Sequence, residues 1–273
     1  MKRTQKSNFP LAILPLIFVT ASGFGQFSNE PSAKRADDPI HICESNTHRT
    51  YVLPVSGDEP RAVLGSPGGQ KIVVEPAIKV NADDLLAARY DYRIVIEPLG
   101  RRYRIASFGR NADDSEDLAY RRLESVGISC TSANDAWLYF SFEVNGSMRD
   151  FFYVGMRMNG AGEPMPLGHA SYGVLALDRK DPFAFSIWDS SAPTAVNAMG
   201  AIHDYKVFKY RWRPDEKSVE LMNQRDAKPA YPSQVMGQIG RGGIRVGGPG
   251  PPVPLEAYRH ESSDTERHEH RYR

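Results

Sequence analysis

Several features that usually assign a protein to a class are scarce in this 273-residue sequence. Only two cysteines are present, Cys43 and Cys130, and neither belongs to a C-x-x-C pair, which disfavours a thiolate metal site. The 34 basic and 33 acidic residues leave a net charge of +1, so no global field attracts nucleic acid or an anionic membrane. No uncharged apolar run approaches the roughly 20 residues of a spanning helix. We therefore expect no metal, no cofactor and no permanent membrane anchor.

Catalytic signatures are also missing. The sequence has no G-x-S-x-G turn, no H-E-x-x-H segment, no GKS or GKT phosphate loop and no pair of carboxylates at a recognisable spacing. It shows no internal repeat at a solenoid period, and nothing in it implies an oligomer. These absences favour a non-enzymatic binding or effector-type protein, acting on an anionic ligand or a host-cell partner.

The start of the chain has the pattern of a secretory signal peptide. Three basic residues among the first six precede a mainly apolar, uncharged run at residues 11–21, and the small residues Ser22 and Gly23 follow it. We predict a signal peptide at residues 1–23 and hence a secreted, extracellular protein, or a periplasmic one in a bacterium. An uncleaved N-terminal anchor is the alternative.

Composition divides the remaining chain into three parts. Residues 24–36 form a polar leader, in which Lys34-Arg35 is either a propeptide processing site or an incidental basic pair. Residues 37–236 are predicted to form a single β-rich globular domain. Residues 237–273 begin with GQIGRGGIRVGGPGPPVP and end in charged residues, and we predict a disordered tail there because few groups can pack.

Export changes the expected state of the two cysteines. In an oxidising compartment two thiols commonly join, so we predict a Cys43–Cys130 disulfide that ties the start of the domain to its middle. Two buried free thiols are the alternative.

Strand patterns dominate the domain. One hairpin is predicted from residues 90–96 and 101–108, preceded by a strand at 71–80, and a second from 137–144 and 151–158. Four further strands are predicted at residues 51–55, 172–177, 183–188 and 205–213. About nine short strands favour a β-rich α+β fold, mainly an antiparallel sandwich or barrel-like sheet with one or two short helices.

Helical patterns are fewer. Residues 113–126 are the best candidate, because acidic residues crowd the first turn and Leu118, Leu123 and Val126 share a helical face. Shorter helices are predicted at residues 82–89 and 214–224.

Two histidines are candidates for catalysis, since His169 and His203 lie in the domain away from its N-terminal segment. Either could pair with Glu143 as general acid and base, and His203 could join the Asp189-Ser190-Ser191 run in a nucleophilic set. The leader, the early cysteine and the sheet-rich body resemble small secreted ribonucleases in architecture, which implies a secreted hydrolase, ribonuclease-like or glycan-acting, as the alternative function. Ordinary surface or turn histidines explain the same residues.

A basic strand is the most distinctive patch. In YKVFKYRWR, residues Lys209, Arg211 and Arg213 fall on one side, opposite the aromatic residues. Together with Arg102 and Arg104 of the first hairpin they are predicted to bind an anionic partner such as a glycan, a phospholipid headgroup or nucleic acid. A solvated basic face is the alternative.

Asn145-Gly146-Ser147 fits the acceptor pattern for N-glycosylation and lies on the predicted turn of the second hairpin. Turn geometry alone also explains the Asn-Gly pair.

Overall fold

The computed structural model describes residues 38–44, 48–55, 60–80, 89–105, 122–144, 150–160, 162–190, 193–198, 200–214 and 218–248. The predicted signal peptide, the polar leader, Asn145 and residues 249–273 of the predicted tail lie outside the described residues. What the sequence indicates about those segments stays a prediction.

Sixteen strands and one helix occur in the described part of the chain. They are β1 Ile40–His41, β2 Arg49–Pro54, β3 Ala62–Gly65, β4 Lys71–Val80, β5 Arg89–Glu97, β6 Arg101–Arg104, β7 Arg122–Ser132, β8 Asp135–Glu143, β9 Asp150–Met158, β10 Met165–Ser171, β11 Val174–Asp178, β12 Ala184–Asp189, β13 Pro193–Asn197, β14 Gly200–Trp212, β15 Val219–Ala230, α1 Pro232–Gly240 and β16 Gly243–Val246.

The strands form three sheets. The front sheet has the order β1-β3-β4-β5-β6, and the middle sheet has the order β10-β9-β8-β7-β2. The back sheet has the order β13-β14-β12-β11-β16, with β15 also paired to β14. Neighbouring strands are antiparallel except β1 and β3, which are parallel. The predicted β-rich α+β sandwich is confirmed, and the sheets are not closed into a barrel.

The middle sheet is buried on both faces. On β8, Leu138 and Phe140 pack with the front sheet, whereas Trp137 and Tyr139 pack with the back sheet. Successive side chains of a strand point to opposite faces, so a strand covered on both sides must be apolar at nearly every position. This arrangement explains the continuous apolar run of β8.

Both predicted hairpins and the predicted disulfide are confirmed. Strand β5 pairs with β6, and β8 pairs with β9. Cys43, which follows β1, is bonded to Cys130 of β7 with a Cα–Cα distance of 5.5 Å. The bond therefore joins the edge of the front sheet to the middle sheet.

Helix α1 covers part of the outer face of the back sheet. Its residues Val235 and Ile239 pack against Trp188, Tyr205 and Val207. The prediction of disorder from residue 237 is wrong for residues 237–248, which include the end of α1 and strand β16. The ordered domain thus continues past Met236.

Two glycines within residues 237–248 allow the backbone to pack closely against neighbouring strands. Gly247 and Gly248 have φ values of 70° and 101°, and a Cβ added at either would lie 2.0 Å from Ser141 or Val174. Only glycine allows the chain to pass so close to the neighbouring strands. A glycine-rich composition, which is typical of disordered segments, therefore occurs here in an ordered segment that packs closely against neighbouring strands.

The predicted helix at 113–126 is wrong for residues 122–126, which lie in β7. The register between β7 and β8 shifts between Leu123 and Ser125, and Glu124 is the extra residue of this β-bulge. The bulge turns both Leu123 and Val126 toward the front sheet. Leu123 and Val126 are three residues apart, a spacing that is typical of one face of a helix. Here the spacing results from the bulge in β7.

The helix predicted at residues 214–224 is wrong for residues 219–224, and the helix predicted at residues 82–89 can be compared with the structure only at Arg89. Residues 219–224 belong to β15, a strand whose side chains are mostly exposed on both faces, so it lacks the alternating pattern of a half-buried strand. Arg89 begins β5, and residues 82–88 lie outside the described residues.

Candidate functional site

A groove of about 210 Å³ lies on the outer face of the back sheet. Strands β11, β12, β14 and β15 form its floor and one side, and the end of α1 with Gly242 and Gly243 forms the other. Most of the polar side chains that line it are exposed or partly exposed, so the groove is open to solvent.

Strand register places the groove side chains in two neighbouring rows. In the first row Asn223 of β15 pairs with Lys209 of β14, which pairs with Ser186 of β12. In the second row Arg225 pairs with Val207, which pairs with Trp188. Residues paired in an antiparallel sheet share a face, so these side chains lie together on the outer face.

Two cations and one carboxylate set the charge of the groove. Lys209 Nζ lies 3.8 Å from Asp178 Oδ2, which is too long for a direct hydrogen bond. The guanidinium of Arg225 lies over the indole ring of Trp188, 5.6 Å from its centroid. This cation–π contact holds the arginine against the sheet while its exposed edge stays available for hydrogen bonds.

Of the three basic residues predicted to form the patch on this strand, only Lys209 lines the groove. Arg211 donates a hydrogen bond of 2.7 Å to Asp181, and Arg213 is ion-paired with Glu220. These two arginines therefore already have carboxylate partners at the rim.

Arg102 and Arg104 lie elsewhere. Both are on β6 of the front sheet, and Arg104 donates a 2.6 Å hydrogen bond to the buried Asp91. Because the middle sheet separates the front and back sheets, the structure does not combine these arginines with Lys209 in one surface.

Among the polar residues that line the groove, sequence patterns indicate only Lys209 as a binding residue. They predict a helix at Asn223 and a disordered tail at Gln238, and they assign no role to Asp178, Ser186 or Arg225. Asn223 and Arg225 are two residues apart, so on a strand they point to the same face. Polar residues occupy both faces of β15, so the sequence does not show which face lines the groove.

His203 is a buried residue of β14. Its Nδ1 lies 3.1 Å from Ser190 Oγ, and its ring packs against Tyr172 with centroids 4.3 Å apart. His203 and Ser190 are 0% and 2% exposed, so a substrate cannot reach them without rearrangement. The Asp189 carboxylate accepts a hydrogen bond from the Ser171 backbone, 3.2 Å away. The contacts shown are those of a packed histidine.

His169 is exposed on β10 and lies on the other face of the middle sheet from Glu143. The register pairs His169 with Phe152 and Glu143 with Phe151, and consecutive residues of β9 point to opposite faces. Burial raises the pKa of Glu143, and the nearby Arg122 partly offsets this. The structure brings neither histidine together with Glu143, because His203 belongs to the back sheet.

Glu124 is a second polar feature that the sequence did not indicate. Its carboxylate accepts a hydrogen bond from Ser141 Oγ at 3.3 Å, in the seam between the middle and back sheets. Burial raises the pKa of Glu124 to about 7, opposed by Arg245 and by hydrogen bonds from Ser141 and the Gly248 backbone, and reinforced by Glu143. Glu124 does not line the groove. Because its pKa is raised to about 7, its charge changes near neutral pH.

No protein family model matches the chain, and neither the curated proteins nor the solved structures contain a match. Among the described residues, no helix is long and apolar enough to cross a membrane.

Proposed function

We propose that this chain is an exported, non-enzymatic binding protein that takes a small anionic ligand in the groove of the back sheet. The observation that carries the proposal is the pair of cations in the groove. Among the described residues, Lys209 has no hydrogen-bonded carboxylate and Arg225 has no ion pair, and the Arg225 guanidinium lies over the Trp188 ring. An anion can therefore enter without first breaking a close ion pair.

Export is supported by two features. The Cys43–Cys130 disulfide is of a kind that persists in oxidising compartments, and the first 23 residues have the pattern of a signal peptide. Residues 1–37 lie outside the described residues, so the signal peptide rests on the sequence alone.

The hydrolase alternative has weaker support. Both members of the Ser190–His203 contact are buried, and Glu143 faces away from His169. A general acid or base has to reach the proton that it transfers, directly or through one water. The groove, in contrast, presents its charged groups to solvent.

Trp188 gives this proposal a direct test. We would titrate the disulfide-bonded protein with acetate, citrate, phosphate and D-glucuronate, and follow the three tryptophan indole NH signals by NMR. We expect at least one anion to shift the Trp188 signal saturably. The signals of Trp137 and Trp212, which stack between the middle and back sheets, should stay in place.

The matched variants change the same charge at different places. Lys209→Gln with Arg225→Gln should abolish the shift, whereas Arg102→Gln with Arg213→Gln should preserve it. If no anion moves Trp188, or if both double variants behave alike, the groove is not an anion site.

A further inference from the structure

We infer that the ligand of the groove is a sugar acid, a single polyhydroxylated ring that carries one carboxylate. This inference rests on the proposed anion-binding function and goes further by naming the class of ligand. Three properties of the groove lead to it: its net charge, its mixture of donors and acceptors, and its size.

The charge of the groove favours a monoanion. Lys209 and Arg225 are diagonal neighbours on adjacent strands, a placement that brings their Cβ atoms to roughly 7 Å and lets one carboxylate bridge the two long side chains. Asp178 lies 3.8 Å from Lys209 and leaves a net charge of one positive unit among these three groups. A phosphate dianion would place excess negative charge beside Asp178, whereas a carboxylate balances the site.

The remaining polar groups favour hydroxyls. The Asp178 carboxylate can only accept hydrogen bonds. Its Oδ1 already accepts them from the backbone N–H groups of Lys180 and Asp181, whereas Oδ2, 3.8 Å from Lys209 Nζ, can accept one from a ligand hydroxyl. Asn223 and Gln238 each carry an amide that both donates and accepts, and Ser186 adds a hydroxyl on the same floor. Sugar hydroxyls both donate and accept, so a polyhydroxylated ring can satisfy all four residues. A simple carboxylate such as acetate would leave most of them to water.

The size of the groove favours one ring. A volume of about 210 Å³ lies below the roughly 300 Å³ at which pockets for drug-sized ligands begin. Val207 and Ile239 supply an apolar surface for the C–H face of a ring.

The test compares D-glucuronate with ligands that each lack its carboxylate, its ring or its hydroxyls. Dissociation constants from the Trp188 signal would be measured for D-glucuronate, D-glucose, D-glucose 6-phosphate, L-glutamate and acetate. D-Glucuronate should bind at least about tenfold more tightly than each of the others, because only it supplies one carboxylate and several hydroxyls. Asn223→Ala should weaken D-glucuronate about tenfold and leave acetate unchanged. Gln224→Ala, one residue along β15, is the matched control and should leave both unchanged.

The other outcomes separate this inference from the proposed function. Tighter binding of D-glucose 6-phosphate or L-glutamate, lost in the Lys209→Gln and Arg225→Gln protein, would reject a sugar acid and retain an anion site. Equal binding of D-glucose and D-glucuronate would reject the anion site and the sugar acid together. Circular dichroism of every variant would show that the fold is intact.

Discussion

The middle sheet packs against two neighbours that differ in chemistry. Toward the front sheet its contacts are largely aliphatic, with Leu123, Val126 and Ile128 of β7 meeting residues such as Ile72 and Ile94. The Cys43–Cys130 disulfide closes this interface at the sheet edge.

Toward the back sheet the contacts are aromatic and close. Trp137 stacks on Trp212 with centroids 4.4 Å apart, and Trp212 donates a 3.0 Å hydrogen bond to the hydroxyl of Tyr139. Gly155 leaves the space that the Trp212 ring fills. Glu124 lies at the edge of the same interface.

The difference suggests that the front interface contributes to stability alone, whereas the back interface also positions the groove. Aliphatic packing and a covalent link hold the front sheet to the middle sheet, and the basic residues of the front sheet lie away from any described groove. The back sheet is positioned by shaped aromatic contacts and carries the groove on its free face. Changes at the front should therefore affect stability alone, whereas changes at the back should also alter binding.

The largest stability loss is expected from removing the disulfide. The bond closes a loop with a sequence separation of 87 residues, and on the chain-entropy model its loss costs about 4.5 kcal/mol. Urea unfolding of the protein with Cys43→Ala and Cys130→Ala would measure it. Reduced wild-type protein should lose a similar amount, and a change below about 1 kcal/mol would show that the front interface does not need the link.

The next largest loss is expected at the back interface. An added Cβ at Gly155 would lie 2.6 Å from a Trp212 ring carbon and 2.9 Å from Leu167, so Gly155→Ala should cost about 2–3 kcal/mol through overpacking. Gly162→Ala is the control, because an added Cβ there meets nothing within 4 Å. Chemical unfolding would measure the free energy of unfolding of both variants. Equal stability of the two would mean that the back interface is not shaped by close contact.

A smaller, pH-dependent effect is expected at Glu124. Its pKa is raised to about 7, so the native protein holds the proton more tightly than the unfolded chain does. The resulting stabilisation is present below the ordinary glutamate pKa and is lost as pH rises through about 7. Between about pH 5 and pH 8.5, wild-type protein should lose roughly 1–2 kcal/mol more than Glu124→Gln. Parallel pH profiles for the two proteins would contradict this account.

The smallest effect is expected at the rim of the back sheet. Arg213 and Glu220 form an ion pair whose side chains are 49% and 41% exposed, and such pairs contribute little. Arg213→Gln should change the free energy of unfolding by less than about 0.5 kcal/mol and leave anion binding intact. A larger loss of stability, or weaker binding, would show that the groove extends to this rim.

Much of the fold could be predicted from the sequence where the pattern was local. The aromatic and β-branched runs of β5, β6, β8 and β9 predicted both hairpins. The disulfide followed from the cysteine count and the export signal. The sequence patterns did not predict that the strands divide into three sheets, because that division depends on contacts between residues distant in sequence.

The failures have physical causes. The bulge at Glu124 gave β7 a spacing that resembles a helix. The glycines on either side of β16 resembled a disordered segment, because glycine is common both in disordered chains and where the backbone passes close to a neighbouring strand. Of the groove, sequence patterns gave Lys209 but not Arg225, since β15 is exposed on both faces and has no hydrophobic period. The sequence suggested that His203 could lie near the Asp189-Ser190-Ser191 run, but it did not indicate that His203 and Ser190 are buried, because their burial depends on packing between distant segments.

The most direct test is a crystal structure of the protein grown with D-glucuronate. The account predicts the ligand on the outer face of the back sheet, with its carboxylate between Lys209 Nζ and the Arg225 guanidinium and with hydroxyls on Asp178 and Asn223. Ligand bound at another surface, such as that of Arg102, with the groove filled only by water, would contradict it.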